Sequence, residues 1–134
     1  MTKVVAKTLI RNENGLILVL HRSKTHPKFA EHFDLPGGEV EENEKWPNAV
    51  AREVLEETGI IIDSTKFKQI YTKKYPHVTH VLFDTKIDSK KATVTLSWEH
   101  MHYEWLSVKE VLNEFHRENI DTFFLDVLDY LNRK

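Results

Sequence analysis

Glu53, Glu56 and Glu57 are spaced so that on a helix they meet on one arc about 100° wide, because positions i, i+3 and i+4 are neighbours on a helix surface. Trp46 to Thr58 reads as that helix. Its opposite arc, Val50, Ala51, Val54, Leu55 and Thr58, is mainly apolar and suited to face a core. The acidic arc is costly alone. Like charges at i, i+4 repel by roughly 0.2–0.5 kcal/mol per pair. Glu56 and Glu57 also stand in the last turn before the C-cap candidate Gly59, where the macrodipole disfavours negative charge. A hard divalent cation converts both penalties into binding, since Mg²⁺ takes oxygen ligands, commonly one or two carboxylates plus substrate phosphates. The helix by itself also reads as a solvated acidic face.

The flanking residues narrow that choice. After Gly38 come five residues, Glu44, seven residues, Arg52-Glu53, a hydrophobic residue, any residue, Glu56-Glu57, any residue, Gly59 and a hydrophobic residue, Ile60. The stretch resembles the Nudix box at every specified position, nine of them in twenty-three residues. The lead-in Phe33-Asp34-Leu35-Pro36-Gly37-Gly38 is similar to the family's usual approach. Asn43 departs from it: many members carry glycine there, at an unconstrained position.

The resemblance implies hydrolysis of a pyrophosphate linkage in a nucleoside diphosphate joined to another group, with Mg²⁺ as cofactor and Mn²⁺ as a substitute. It implies metal ligation by Glu53, Glu56, Glu57 and the Gly38 carbonyl. One of Glu56 and Glu57 would deprotonate the attacking water, although some members use a glutamate outside the box. Arg52 and Glu44 would orient the cluster, a cation beside carboxylates keeping them ionised; an ordinary salt bridge describes much the same contact. Gly37 and Gly59 are structural, the first in the loop that approaches the ligand and the second at the helix end.

Outside the box, Glu99 sits where many members place a further metal-binding or catalytic carboxylate, and it also reads as a turn residue; Glu104 competes for the role. Arg22 and Lys24, at the exit of an apolar run, could hold terminal phosphates as paired cations or be ordinary surface charges. Asn119 resembles the asparagine that reads the base in the 8-oxo-dGTP-cleaving branch, and Asn before a helix is also a common cap. His100 and His102 share a strand face, but no third ligand has recognisable spacing, so the sequence gives no zinc site.

The 134 residues leave room for one domain, 1–134, with a proper core. A net charge of −2 argues against a nucleic-acid polymer as partner, and the absence of cysteine excludes disulfides and thiolate metal sites. No signal peptide and no run of membrane-spanning length is evident. The expectation is a cytoplasmic protein, monomer or homodimer, acting on a small nucleotide away from membranes.

The elements that must position these residues read as follows. Lys3–Ile10 is a strand, Asn12–Gly15 a turn, and Leu16–Leu20 a strand buried on both faces. Residues 25–37 form an irregular approach to the box. Beyond the helix, Ile60–Ile62, Phe67–Tyr75, His77–Ile87, Ala92–Trp98 and Met101–Leu106 read as extended, the fourth by its clean alternation of Ala92, Val94, Leu96 and Trp98 with polar residues. Ser107 and Glu110 form a capping box for a helix over 108–115, and an apolar stripe marks a last helix over 120–131. The class is α/β. With the resemblance, this becomes a Nudix-type α/β/α sandwich around a mixed, partly antiparallel sheet.

A short chain of this kind is similar to the nucleoside triphosphate pyrophosphatases, including those acting on oxidised deoxynucleotides. Pro76, sixteen residues past the box, is near where ADP-ribose hydrolases often carry proline, whereas those enzymes usually have an N-terminal extension and only 37 residues precede this box. A nucleotide-binding sensor without hydrolysis is the third reading; such domains commonly show eroded boxes.

Overall fold

The computed structural model describes residues 2–25, 32–118 (115–118 by backbone alone) and 122–133. Strands β1 (Lys3–Arg11), β2 (Ile17–Arg22), β3 (Phe33–Asp34) and β4 (Gly37–Glu39) precede helix α1 (Trp46–Thr58). A short 3₁₀ turn, Ser64–Lys66, leads to β5 (Lys68–Lys74), β6 (Val78–Lys86), β7 (His100–Leu106), α2 (Val108–Glu118) and α3 (Thr122–Asn132).

All seven strands share one mixed sheet. β1 runs parallel to β6 over its whole length, from Lys3 opposite Val78 to Arg11 opposite Lys86. β5 and β6 form an antiparallel hairpin, and β7 runs antiparallel along β2. β1 and β2 pair at Arg11 and Ile17 beside their turn, where Asn12 Oδ1 accepts the Asn14 and Leu16 amides. Farther along, β3 pairs with β2 at Leu20 and His21, while β4 pairs with β1 at Val5, Ala6 and Lys7. Residues 33–39 therefore form a wedge between the two strands, and the paired glycines ride in it.

Strand alternation sends side chains to opposite faces. Leu9, Ile17, Val19 and Leu82 pack with Val111, Phe123, Phe124, Val127, Leu128 and Leu131 of α2 and α3. Ala6, Ile10, Leu18, Leu20, Val81 and Phe83 pack with Val50 and Val54 of α1, Ile60 and Phe67. The sheet thus lies between α1 on one side and α2 with α3 on the other, as expected from the sequence. The apolar run on β2 is buried on both faces, Ile17 to Leu20 all fully. The capping box forms: Ser107 Oγ accepts the Glu110 amide at 3.1 Å and Glu110 Oε1 accepts the Ser107 amide at 2.9 Å.

Three expectations are corrected. Ile60–Ile62 is not a strand. Nor is 92–98: the Thr95 and Ser97 amides go to the carbonyls of Thr58 and Glu57, at 2.7 and 3.2 Å. The last turn of a helix leaves its carbonyls without intrahelical partners, and this segment satisfies two of them. Its alternation was a true sign of one-sided packing, since Ala92, Val94 and Leu96 lie against the α1-side core, but Trp98 is 67% exposed. On α1, Leu55 is 48% exposed, so of the expected core-facing arc Val50, Val54 and Thr58 are buried, with Ala49 beside them. Residue 120, where the last helix was expected to begin, lies outside the described residues; α3 is described from Thr122. Among the described residues no helix is long and apolar enough to cross a membrane.

Candidate active site

Helix α1 has no side-chain N-cap and starts with proline in its first turn, and Gly59 ends it in the left-handed conformation (φ +73°), its amide bonded to the Leu55 carbonyl at 2.9 Å. Glycine serves here because a Cβ penalises that conformation. The helix end therefore has a fixed exit, and Glu53, Glu56 and Glu57 point from its last turns toward the wedge.

Glu57 is 4% exposed, and its Oε1 accepts the Gly37 amide at 2.8 Å. Burial, then the nearby Asp34 carboxylate, pushes its carboxyl well above the usual range. Burial also raises Glu53, against the opposing effect of Arg52. Gly38 lies so close to Glu53 that a Cβ there would come within 2.9 Å of its carboxyl carbon. Gly37, at φ +139°, leaves only 2.2 Å from its would-be Cβ to the Ala6 carbonyl oxygen. At Gly37 the wedge passes backbone where no side chain fits, whereas at Gly38 a side chain would push the Glu53 carboxyl aside.

Arg52 is the bracket behind the acids. Its Nε and Nη2 grip Glu44 at 2.9 and 3.0 Å, while Nη1 reaches Glu53 at 2.9 Å and Glu56 at 3.4 Å. The Arg52 bond holds the Glu44 carboxyl below its usual value. Arg52 and Glu44 do not line the cleft; they hold the side chains that do. Asn43, next to Glu44, has φ +63°, a left-handed conformation that asparagine tolerates better than most residues. This is why asparagine can stand where glycine is common.

Gly37, Gly38, Glu53, Glu56, Glu57 and Glu99 all line one cleft of about 660 Å³. Glu99 arrives there on the segment bonded to the end of α1, and its carbonyl accepts the Ser23 amide at 2.8 Å. Arg22 reaches the same cleft but is buried, with its Nε on Asp34 Oδ2 at 3.1 Å. Lys24 is exposed and is not among the lining residues. Glu104 lies elsewhere, against His21 at 2.9 Å. Asn119 lies outside the described residues.

Sequence reasoning missed two features of the cleft. Asp34 is buried and takes Lys7 on Oδ1, with Arg22 and His100 Nε2 (3.1 Å) on Oδ2. Burial alone would raise its carboxyl, but Lys7, His100 and Arg22 outweigh this and hold it well below the usual range. Lys7 sits at an inward position between Val5 and Leu9, which was the available signal. His80 also lines the cleft, with its Nδ1 on Asp126 Oδ2 at 2.7 Å. Tyr75 donates to the same carboxylate, and burial, then that contact, pushes its phenol up to about 12. Asp126 interrupts the apolar stripe of α3, again a legible but unread sign.

A model of the NUDIX domain family matches residues 1–127. The chain belongs to the NUDIX family. The NUDIX chain is 33% identical to the MutT protein of Methanosarcina mazei Go1, covering 97% of this chain and 90% of that one with a TM-score of 0.73. It is 35% identical over 72 residues to an 8-oxo-dGTP diphosphatase of Haemophilus influenzae, a match covering 54% of this chain and 52% of the relative. The chain thus spans about half the length of that curated relative. An Ap4A hydrolase of C. elegans shares the fold at 19% identity, covering 97% and 99% of the two chains with a TM-score of 0.62.

Proposed function

We propose that this protein is a Mg²⁺-dependent pyrophosphohydrolase that cleaves a nucleoside triphosphate, oxidised ones included, to the monophosphate and pyrophosphate. One observation carries the reading: in a NUDIX chain, Glu53, Glu56, Glu57 and Glu99 line a single cleft. The donor set is all oxygen, and burial disfavours charge on Glu53 and Glu57, a penalty that a bound cation reverses. Both properties fit Mg²⁺, with Mn²⁺ as a substitute. These four glutamates and the Gly38 carbonyl would hold it. Bound there, it supplies charge neutralisation on phosphate oxygens and acidifies water.

The chain's own residues do the rest. Arg52 keeps Glu53 and Glu44 in one orientation, so the carboxylates need little rearrangement when substrate arrives. One of Glu56 and Glu57 accepts the proton of the attacking water. Glu56, with its side chain 57% exposed, is the more open to solvent, and Glu57 is anchored by the Gly37 amide. The water oxygen bonds to phosphorus, the bridging P–O bond breaks, and pyrophosphate departs with the bonding electrons. Lys7 and Arg22 give the cleft floor positive charge despite their ties to Asp34, and Lys3 adds a cation on the lining.

The triphosphate preference is supported by the similarity to the Haemophilus influenzae 8-oxo-dGTP diphosphatase. The shared fold of an Ap4A hydrolase argues that fold alone selects no substrate. Pro76 lies in the β5–β6 hairpin turn, where the Tyr75 amide meets the Val78 carbonyl at 2.8 Å. Its fixed φ serves that turn, so it lends no weight to ADP-ribose. The reading puts the protein in the cytoplasm, working on free nucleotides. The test is a panel with Mg²⁺ holding ordinary and 8-oxo deoxynucleoside triphosphates, ADP-ribose, a dinucleoside tetraphosphate and a nucleotide sugar, with pyrophosphate and phosphate read separately. Pyrophosphate release from one triphosphate is the expected result; cleavage of ADP-ribose alone overturns the substrate assignment. Binding without turnover anywhere in the panel overturns the enzyme.

A further inference from the structure

On the α2-facing side of the sheet, outside the lining of the acidic cleft, two histidines and a glutamate meet across β2 and β7. Register sets His21 directly opposite His102, and Glu104 follows His102 by two residues on the same face. The ligand atoms of all three lie within 4.8 Å of one another. His21 Nε2 stands 2.9 Å from Glu104 Oε2, and the His21 and His102 ring centroids are 5.0 Å apart. Phe33 packs on the His21 ring with centroids at 4.2 Å, giving the group an apolar wall. None of the three lines the acidic cleft. The spacing of His100 and His102 concealed this arrangement, because His100 turns inward to Asp34 and the partner of His102 comes from another strand.

We infer that His21, His102 and Glu104 bind a borderline divalent transition metal, with Zn²⁺ as the reference ion. Two imidazole nitrogens and one carboxylate oxygen are the donor set of a three-ligand zinc site, and they select against Mg²⁺. Metal–ligand bonds of about 2.0–2.2 Å require ligand atoms about 3.4 Å apart in a tetrahedral site. The side chain of Glu104 is 40% exposed and His102 is exposed, so rotation of the two can close the present spread. A cleft of about 340 Å³, lined by Glu104, Phe33, Glu110 and Glu114, opens beside the group and leaves a fourth position to water. The His21–Glu104 hydrogen bond occupies two of the ligands without metal, so binding displaces the proton between them. The metal would clip β7 to β2, and with it His100, which holds Asp34.

The test is calorimetric titration of the full chain with ZnCl₂ in Mg²⁺-free buffer, with Co²⁺ absorption reporting coordination geometry. The Glu53→Gln/Glu57→Gln double variant, with the acidic cleft disabled, is expected to bind one ion with micromolar affinity, and wild type to bind the same ion with any ion in the acidic cleft in addition. His102→Ala, at an exposed position, should weaken binding by about tenfold or more, and His102→Gln replaces it if alanine disturbs the fold by circular dichroism. Binding that survives loss of His102 but disappears in the double variant puts the ion in the acidic cleft and overturns the inference, as does wild-type binding no tighter than millimolar. Because no nucleotide is used, the outcome is independent of the proposed hydrolysis.

Discussion

The Gly37 amide donates to Glu57 Oε1 at 2.8 Å, joining the wedge between β1 and β2 to the last turn of α1. The bond anchors one acid of the cluster within the protein itself. Glu57→Gln keeps an oxygen for that amide and removes a charge that burial disfavours. In metal-free buffer the variant is expected to melt no lower than wild type. Wild type is expected to melt higher with Mg²⁺ by mass action; the variant should lose that rise, and about a hundredfold or more in kcat. Melting curves with and without Mg²⁺, alongside turnover, check this; undiminished turnover removes Glu57 from the mechanism.

The two adjacent glycines should fail differently. The nearest atoms to a Cβ on Gly38 are the movable carboxyl end of Glu53, at 2.9–3.0 Å. Gly38→Ala should fold and melt near wild type while losing most activity. A Cβ on Gly37 meets backbone at 2.2 and 2.5 Å with φ +139°, so Gly37→Ala should express poorly or melt far below wild type. Equal melting temperatures for the two variants would contradict the wedge geometry.

Asn43 tests the left-handed turn before Glu44. Asn43→Gly should be neutral or slightly stabilising, whereas Asn43→Val should cost about 1–2 kcal/mol in urea unfolding. A valine variant as stable as wild type would show that the turn relaxes without strain.

Asp34 sets an acid limit on stability. Its carboxyl is held below the ordinary 3.8, so the folded state binds its proton less tightly than the unfolded state does. That contribution is fully present above the unfolded value and is lost as pH falls below it toward the folded one. Wild type should therefore lose stability below about pH 4. Asp34→Asn leaves Lys7 and Arg22 buried without their anion, at a cost of about 3–5 kcal/mol near neutrality, and should show a flatter acid limb. Denaturant midpoints measured from pH 7 to pH 3 check both.

Arg52→Lys removes the fork that grips Glu44 through two nitrogens while reaching Glu53. A lysine offers a point charge without that geometry. The expected result is about a tenfold loss of kcat with a stability change below about 1 kcal/mol. A change confined to KM would place Arg52 on substrate instead.

The legible parts of the molecule were those written in local spacing. Glu53, Glu56 and Glu57 lie within one turn of a helix, so their shared arc follows from 3.6 residues per turn alone. Gly59, the Ser107–Glu110 box and the β2 run are equally local. Lys7, Asp34, Arg22 and His100 come from four strands, and nothing in the spacing of any one of them names the others. Each left a mark, a lysine on an inward position or an aspartate before a buried leucine, without an address. His80 and Asp126 are hidden for the same reason. The segment 92–98 shows the opposite limit. Its alternation correctly reports a buried face, but periodicity cannot tell a sheet partner from the carbonyls at the end of a helix.

The parallel pairing of β1 with β6 bears on how the protein is born. β1 leaves the ribosome first and its partner only after α1 and the β5 strand have followed, so the ladder must close a loop that contains the entire glutamate helix. Closure of so distant a pair is entropically costly and slow compared with local structure. The helix can form early from its own sequence, but β1 acquires its nine-residue neighbour only when residues 78–86 dock, and Glu99 and β7 emerge later still. A nascent chain stalled before that point carries the whole acidic signature and none of the chemistry.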